Sequence, residues 1–420
     1  MTTIKSWAPL LLGALLPACG GSDDSGGGTS SANPGCPALA DASCSIDLAP
    51  GDDDTKTLQT ALIKAKSGDT LCLCPGTFAL QKEISLDVPN VTVKGLGAAA
   101  TDTVLDFASQ TEGDDGFTVT SDGFTIENLA LKNTPGNGIV VTGAEDVTFR
   151  KLRVSWDAGS VTENGAYAVY PVKSKRVIIE DSEVVGAADA GIYVGQCNEA
   201  IVRNNKVHGN VAGIEIENST DSEVYGNESY DNTAGILVFT LPNLEKKDGL
   251  RAKVHDNVVN SNNRANFAEA GSIVASVPSG TGFLVLAADD TEIVGNTADG
   301  NESVAVLVVS LTTLNLILQT TPDAGTDPDP ERTFIHGNTF TNTGTNPQGI
   351  FEAYGIKPME EVVWDGVIKS GATDSFCLGD PPLPSFRNIH APDGLLNSSV
   401  HTTDTTGLDC KLPELSSVSW

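Results

Sequence analysis

Gly191-Ile192-Tyr193-Val194, Gly213-Ile214-Glu215-Ile216 and Gly235-Ile236-Leu237-Val238 repeat one short apolar pattern, each copy starting 22 residues after the last. A second register keeps step with it, reading apolar-x-x-Asn from Val202 to Asn205, Val224 to Asn227, Val254 to Asn257, Ile293 to Asn296 and Ile335 to Asn338. Two registers at one pitch, with few helix-forming segments, predict an all-β solenoid, a right-handed parallel β-helix in which each repeat is one coil. Side chains alternate within a strand, so Ile192 and Val194 should face inward and Tyr193 and Gly195 outward. Ile139, Val169, Ile192, Ile214, Ile236, Phe283 and Val306 then stack as one inward column, and Val154, Val184, Val207 and Phe340 as another. The recurring Asn is expected to serve the turns, since it tolerates left-handed backbone and bonds to neighbouring peptide groups.

The coils should occupy residues 70–346, broken by insertions at 156–165, 240–250 and 262–280. Before them, residues 36–69 read as an N-terminal cap. Asp52-Asp53-Asp54-Thr55, then Leu58, Ala61, Leu62 and Ala65, form an acidic first turn and an amphipathic helix closed by Gly68. Such a helix would plug the open end of the spiral, whose edge could otherwise recruit other chains. The triple Asp is read as capping charge rather than as a metal site. Residues 347–420 are expected to form an irregular C-terminal cap.

Lys5, the apolar run Trp7 to Leu16 and Leu16-Pro17-Ala18-Cys19 predict a signal peptide over residues 1–18, too short to span a membrane. Its end resembles the bacterial lipobox, which implies lipid attachment at Cys19; Pro17 departs from the usual pattern, and plain secretion is the alternative. Gly20 after the Cys implies the outer membrane of the cell envelope. Residues 19–35, rich in Gly, Ser and Asp, are a flexible tether. Exported cysteines tend to pair. Cys72 and Cys74 should face one side of a strand and pair with Cys36 and Cys44 in an order left open; Cys377 and Cys410 should staple the tail, leaving Cys197 free.

With 55 acidic and 25 basic residues the net charge is −30, which argues against nucleic acid and anionic lipid surfaces. Membrane contact is expected only through the lipid, and the chain is expected to be a monomer. A polyanionic sugar would need calcium or a basic cluster to neutralise it.

The outward residues Tyr170, Tyr193, Glu215, Glu217 and Leu237 should line a groove walled by the first two insertions, with Tyr170 and Tyr193 as a sugar platform and Asp157 at its rim. Glu215 and Glu217 lie on one face of one strand, about 6.6 Å apart at Cα by strand rise, a plausible acid–base pair, although exposed strands carry such pairs routinely. Asp189 and Lys173 complete the catalytic candidates. Lys173, with Lys175 and Arg176, would neutralise a uronate before proton removal, and otherwise sits in a solvated turn. No resident cofactor is expected. Calcium stays open because Asp157, Glu163 and Asp189 are suitable ligand types.

Glu127, Arg150, Glu180 and Arg203 alternate in sign on successive coils and are expected to form a charge ladder rather than a lyase site. His255 and His336 should lie two coils apart, too far to share a metal. Leu284, Leu286, Leu307, Val309, Leu311, Leu314, Leu316 and Ile317 read as a continued apolar outward strip, covered either by the tail or by a partner.

The segments Asn164 to Val172, Asp189 to Gln196, Ala212 to Ser219 and Gly235 to Phe239 resemble a family of bacterial envelope parallel β-helix repeat proteins of unsettled activity. The resemblance covers roughly a third of the chain. It implies a lipoprotein or secreted protein encoded beside an exported c-type cytochrome-like protein. More remotely the chain is similar to the pectate-lyase-like superfamily, including copper-delivery proteins and alginate epimerases, but lacks the epimerases' Asp-Pro-His-Asp motif. Two functions follow as expectations: binding, cleavage or epimerisation of a polysaccharide in the groove, or a non-enzymatic scaffold that docks another exported protein on the apolar strip.

Overall fold

The computed structural model describes residues 36, 41, 43–321, 323–372 and 376–420. The leader 1–18, Cys19 and the 19–35 tether lie outside the described residues.

Three parallel sheets of 12, 10 and 11 strands run the length of the spiral. One coil places Lys175–Glu180 in the first sheet, Glu183–Val185 in the second and Ala190–Gly195 in the third. The next coil stacks on it in register, Ile179 against Val202, Val184 against Val207 and Ile192 against Ile214. The inward column from Ile139 to Val306 is continuous and buried. This column and its counterparts on the other two sheets fill a single core.

Asn205, Asn227, Asn257, Asn296 and Asn338 form an unbroken ladder. From Asn227 onward each side-chain carbonyl accepts from the backbone N–H of the ladder Asn one coil earlier, at 2.9–3.0 Å, while that of Asn205 accepts from the Ser182 N–H. Each Nδ2 donates to a strand carbonyl, as Asn227 does to Val202 at 2.9 Å. The ladder residues do not take left-handed backbone; the residues just before them do, Asn204, Gly226, Asp256, Gly295 and Gly337. The Asn side chain is thus used for peptide groups that no sheet satisfies, and the sharp turn is left to its neighbour. A second ladder, Asn210, Asn232, Asn262 and Asn301, follows the same pattern at another corner.

Helix α1, Asp54–Lys64, closes the N-terminal end with Leu58, Ala61 and Leu62 buried. Asp53 caps it by accepting from the Lys56 N–H, and Asp54 accepts from Gly51 and Ala79. Disulfides join Cys36 to Cys74 and Cys44 to Cys72. A third joins Cys377 to Cys410, and Cys197 is a buried thiol, pushed up to about 12 by burial.

The tail departs from an irregular cap. Val362–Trp364 and Phe386–Asn388 extend the third sheet and Phe376–Cys377 extends the first, because their alternating apolar residues continue the inward columns. The chain then returns along the first sheet, where the Leu415 N–H donates to Glu292 and the Val418 N–H to Glu223.

The predicted apolar strip is also revised. Leu311–Leu318 is a helix, α2, capped by Ser310, whose hydroxyl accepts from the Thr313 N–H. Leu311 and Leu314, three apart, face inward from one side of it. Leu284, Leu286 and Leu307 are buried beneath α2, the third insertion and tail residues Phe351, Tyr354 and Ile389. Of the strip on which the docking alternative rested, Leu316 and Ile317 on the far side of α2 stay exposed, at 56% and 38%. No described helix is long and apolar enough to cross a membrane.

Candidate functional site

Three adjacent strands of the third sheet, Tyr167–Val172, Ala190–Gly195 and Ala212–Glu217, carry the candidate site on their outward side. Register stacks Tyr193 on Glu215 and Gly195 on Glu217, with Leu237 and Phe239 one coil beyond. The small Gly195 leaves room for the Tyr193 ring, since a Cβ at Gly195 would lie 2.2 Å from it.

The groove expected here is not open. The first and third insertions enter at the same edge of the third sheet and meet where the Thr162 hydroxyl donates to the Phe267 carbonyl at 2.8 Å. Phe267, Ala268 and Ile273 pack into the same cluster as the tyrosines. The second insertion packs Leu241 against the same cluster, and Lys246 anchors it over the turn after the strand, donating to the Cys197 carbonyl and the Asn198 side chain, each at 2.8 Å. Glu215 and Glu217, predicted as surface residues, are only 2% and 6% exposed. Tyr193 is buried as well, while Asp189, Tyr167 and Tyr170 are half-buried.

The tyrosine rings pack on one another, with centroids 4.3 Å apart for Tyr167 and Tyr193, 4.7 Å for Tyr167 and Tyr170, and 4.9 Å for Tyr170 and Tyr193. They are therefore a wall and not an exposed platform. The Tyr193 hydroxyl donates to Glu217 at 2.6 Å, and that of Tyr167 to Asp189 at 3.4 Å. Oε2 of Glu215 is buried with no hydrogen-bond partner.

Burial raises all three carboxyls, since a desolvated carboxylate is unfavourable. Asp189 and Glu217 rise to about 7, while Glu215 is held well above the usual range by burial, then by the charges of Asp189 and Glu217. Three carboxyls with raised proton affinity thus lie on adjacent strands, an arrangement suited to acid–base catalysis.

Two residues named from sequence lie apart from this cluster. Lys173 occupies an exposed turn and pairs with Glu245 at 2.5 Å, and Asp157 is held by Lys132 at 2.7 Å. No described lysine or arginine bonds to Asp189, Glu215 or Glu217, so the expected uronate counter-charge is missing. The proposed calcium ligands Asp157, Glu163 and Asp189 do not come together either. Among the described residues, two groups bring potential metal ligands close. One contains the disulfide-bonded Cys44 and Cys72 with Asp47. In the other, Asp289, Asp327 and Glu331, Lys369 already pairs with Asp327 at 2.6 Å and Glu331 at 2.9 Å.

His255 and His336 flank Val294, two coils apart, and each binds a buried glutamate. The covering role of the third insertion was missed from sequence, although its apolar residues Phe267, Ile273, Val274 and Val277 were a signal that it packs on something.

Residues 137–321 match the family described as right handed beta helix region. The chain is a right-handed parallel β-helix. Among solved structures this β-helix is similar to the A-module of the Azotobacter vinelandii mannuronan C-5 epimerase AlgE6, at 17% identity over 82% of this chain and 92% of that one, with a TM-score of 0.48. It is also similar to an alginate lyase from Paenibacillus sp. str. FPU-7, at 18% identity over 70% and 96% of the two chains, TM-score 0.46. A third is an exopolygalacturonase from Thermotoga maritima, at 12% identity over 68% and 76%, TM-score 0.47. No curated protein matches the sequence.

Proposed function

We propose that this β-helix is an exported, envelope-anchored protein that binds and processes a neutral glycosyl unit, with Asp189, Glu215 and Glu217 as its proton-transfer groups. The carrying observation is a carboxyl cluster packed among tyrosines, Glu215 and Glu217 buried and Asp189 half-buried, with no described lysine or arginine bonded to it and Oε2 of Glu215 unpartnered. A cluster of this kind destabilises the fold, so its presence calls for a use outside folding. Its tyrosine hydroxyls and carboxyls are suited to sugar hydroxyls, and the tyrosine edges to the apolar face of a sugar ring. The lack of a neutralising cation disfavours uronates. Three disulfides support an oxidising, extracytoplasmic address, and the lipobox-like Leu16-Pro17-Ala18-Cys19 supports the anchor.

The test is incubation of the full-length chain with neutral and uronic oligosaccharides, with products followed by mass spectrometry. Turnover of a neutral oligosaccharide, lost in Glu217→Gln and Asp189→Asn, is the expected result. Activity confined to uronates, or unchanged in both variants, would refute the assignment. For the anchor, palmitate labelling in the native host should disappear in Cys19→Ser.

A further inference from the structure

The segments that roof Glu215 and Glu217 are attached to the molecule unevenly. Residues 265–277 of the third insertion form an Ω-loop whose ends meet, since the Ser279 hydroxyl donates to the Arg264 carbonyl at 2.8 Å. The base is fixed to the spiral: the Arg264 N–H donates to the Asn232 carbonyl at 3.0 Å, and its guanidinium to the Asp231 carboxylate at 2.6 Å. Within the loop, the Asn266 amide donates to the Val274 and Val277 carbonyls at 2.9 and 3.1 Å, and the Ser276 and Val277 N–H groups close a short helical turn. The loop thus satisfies its own peptide groups and would keep doing so if it moved as a unit.

Its hold on the rest of the chain is slight. Among the described residues, the body of the loop makes one hydrogen bond to another segment, from the Thr162 hydroxyl to the Phe267 carbonyl at 2.8 Å. Its buried residues, Val274 and Val277, join the roof cluster and not the spiral core. On one flank Ala265, Asn266 and Phe267 border an open cleft of about 450 Å³. On the other, Ile273, Ser276 and Val277 border a cavity of about 230 Å³ that lies between them and α2. A segment with voids on both flanks and few bonds is one that opens at low cost. The other insertions are tied down more firmly. Trp156 donates to the Thr134 carbonyl at 2.8 Å and Asn164 to the Gly186 carbonyl at 2.6 Å, while the Asn243 N–H and Lys247 both reach Asp323 at 3.1 Å.

The loop meets Thr162, beside the Tyr167–Val172 strand, at one end and Phe239 and Leu284 at the other. It therefore crosses the two coils between, which carry Tyr193 and then Glu215 and Glu217. We propose that residues 265–277 are a lid, which swings as one piece about its base at Arg264 and Ser279 and so opens the face that carries Glu215 and Glu217. That the opening admits a glycosyl unit rests on the function proposed above; the motion itself does not.

Carbodiimide coupling of glycinamide to the full-length chain, mapped by peptide mass spectrometry, reads the opening with no glycan present, and hydrogen exchange on the same samples reads the loop's own turn. Thr162→Val should speed coupling at Glu217 about two- to tenfold, the worth of one hydrogen bond. The same variant should leave exchange of the Ser276 and Val277 amides unchanged, because a swinging loop keeps its turn. Replacing residues 266–277 by two glycines, which the meeting ends allow, should raise coupling to that of the exposed Glu163 with an unchanged circular dichroism spectrum. Glu292 on the first sheet, 2% exposed like Glu215, should respond to neither change. Coupling at Glu217 indifferent to Thr162→Val would overturn the lid. Coupling and amide exchange that rise together would replace it by local unfolding, and a parallel rise at Glu292 by global unfolding. Coupling that follows expectation while no glycan is turned over would sustain the lid and remove the glycan reading.

Discussion

The outer faces of the first and third sheets carry buried acids in two different ways. On the first sheet, Glu180 receives Arg203 at 2.5 Å and faces Arg150 at 3.9 Å, Glu223 is met by His255 at 3.0 Å, and Glu292 by His336 at 2.9 Å and Lys253 at 3.8 Å. The ladder from Glu127 to Arg203 is formed as its alternating signs require. On the third sheet Glu215 and Glu217 are buried to the same degree and meet no cation. A parallel solenoid can supply a counter-charge simply by placing one a coil away. The third sheet instead places Tyr193 and Leu237 there. The difference separates acids that hold coils together from acids left free to exchange protons.

The sharpest way to break this contrast is a rate. Glu217→Gln should reduce turnover of a responsive glycan by about 10²–10⁴-fold and leave the melting temperature unchanged or higher. Arg203→Gln should do the reverse, sparing turnover and lowering the melting temperature; matched effects of the two variants would erase the distinction. Next in size is the ladder that both faces depend on. Asn257→Ala leaves the Asn227 N–H without its acceptor and should cost about 1–3 kcal/mol in denaturant unfolding.

A third effect lies in the pH dependence of stability. Asp189 and Glu217 rise from 3.8 and 4.5 to about 7 on folding. The folded chain therefore keeps protons that the unfolded chain has released, and this stabilisation is full below pH 4 and is lost as pH rises through about 7. Melting temperatures taken from pH 5 to 8 should fall, and the double variant Asp189→Asn, Glu217→Gln should flatten that slope. Smallest is the salt response of partly exposed first-sheet pairs such as Arg251 with Asp221, a few tenths of a kcal/mol. Double-mutant cycles in low and high salt would measure it.

The spiral was legible because its geometry is arithmetic. A pitch of 22 residues places Ile192 on Ile214 and Ile214 on Ile236 without any knowledge of distant chain. The second Asn ladder, from Asn210 to Asn301, followed the same arithmetic and could have been found by it. Burial of Glu215 was not legible, because its cover comes from elsewhere: Phe267 and Ile273 reach the face from an insertion two coils away. Likewise α2 was read as a strand face, although Ser310 followed by Leu311 and Leu314 carries a helix start. The repeat places Glu215 and Glu217 on one strand with Asp189 a coil away, but their burial depends on distant segments that the repeat does not reveal.

Successive partners in the first Asn ladder are 22, 30, 39 and 42 residues apart, yet every rung has the same length to within 0.1 Å. Extra chain is admitted at the corners and is invisible to the stack. Such an architecture lets covering segments be lengthened, exchanged or lost over evolutionary time without renegotiating the scaffold beneath them. Relatives of this protein should therefore differ most in what roofs the third sheet, and new specificities should arise there by the replacement of whole corner segments.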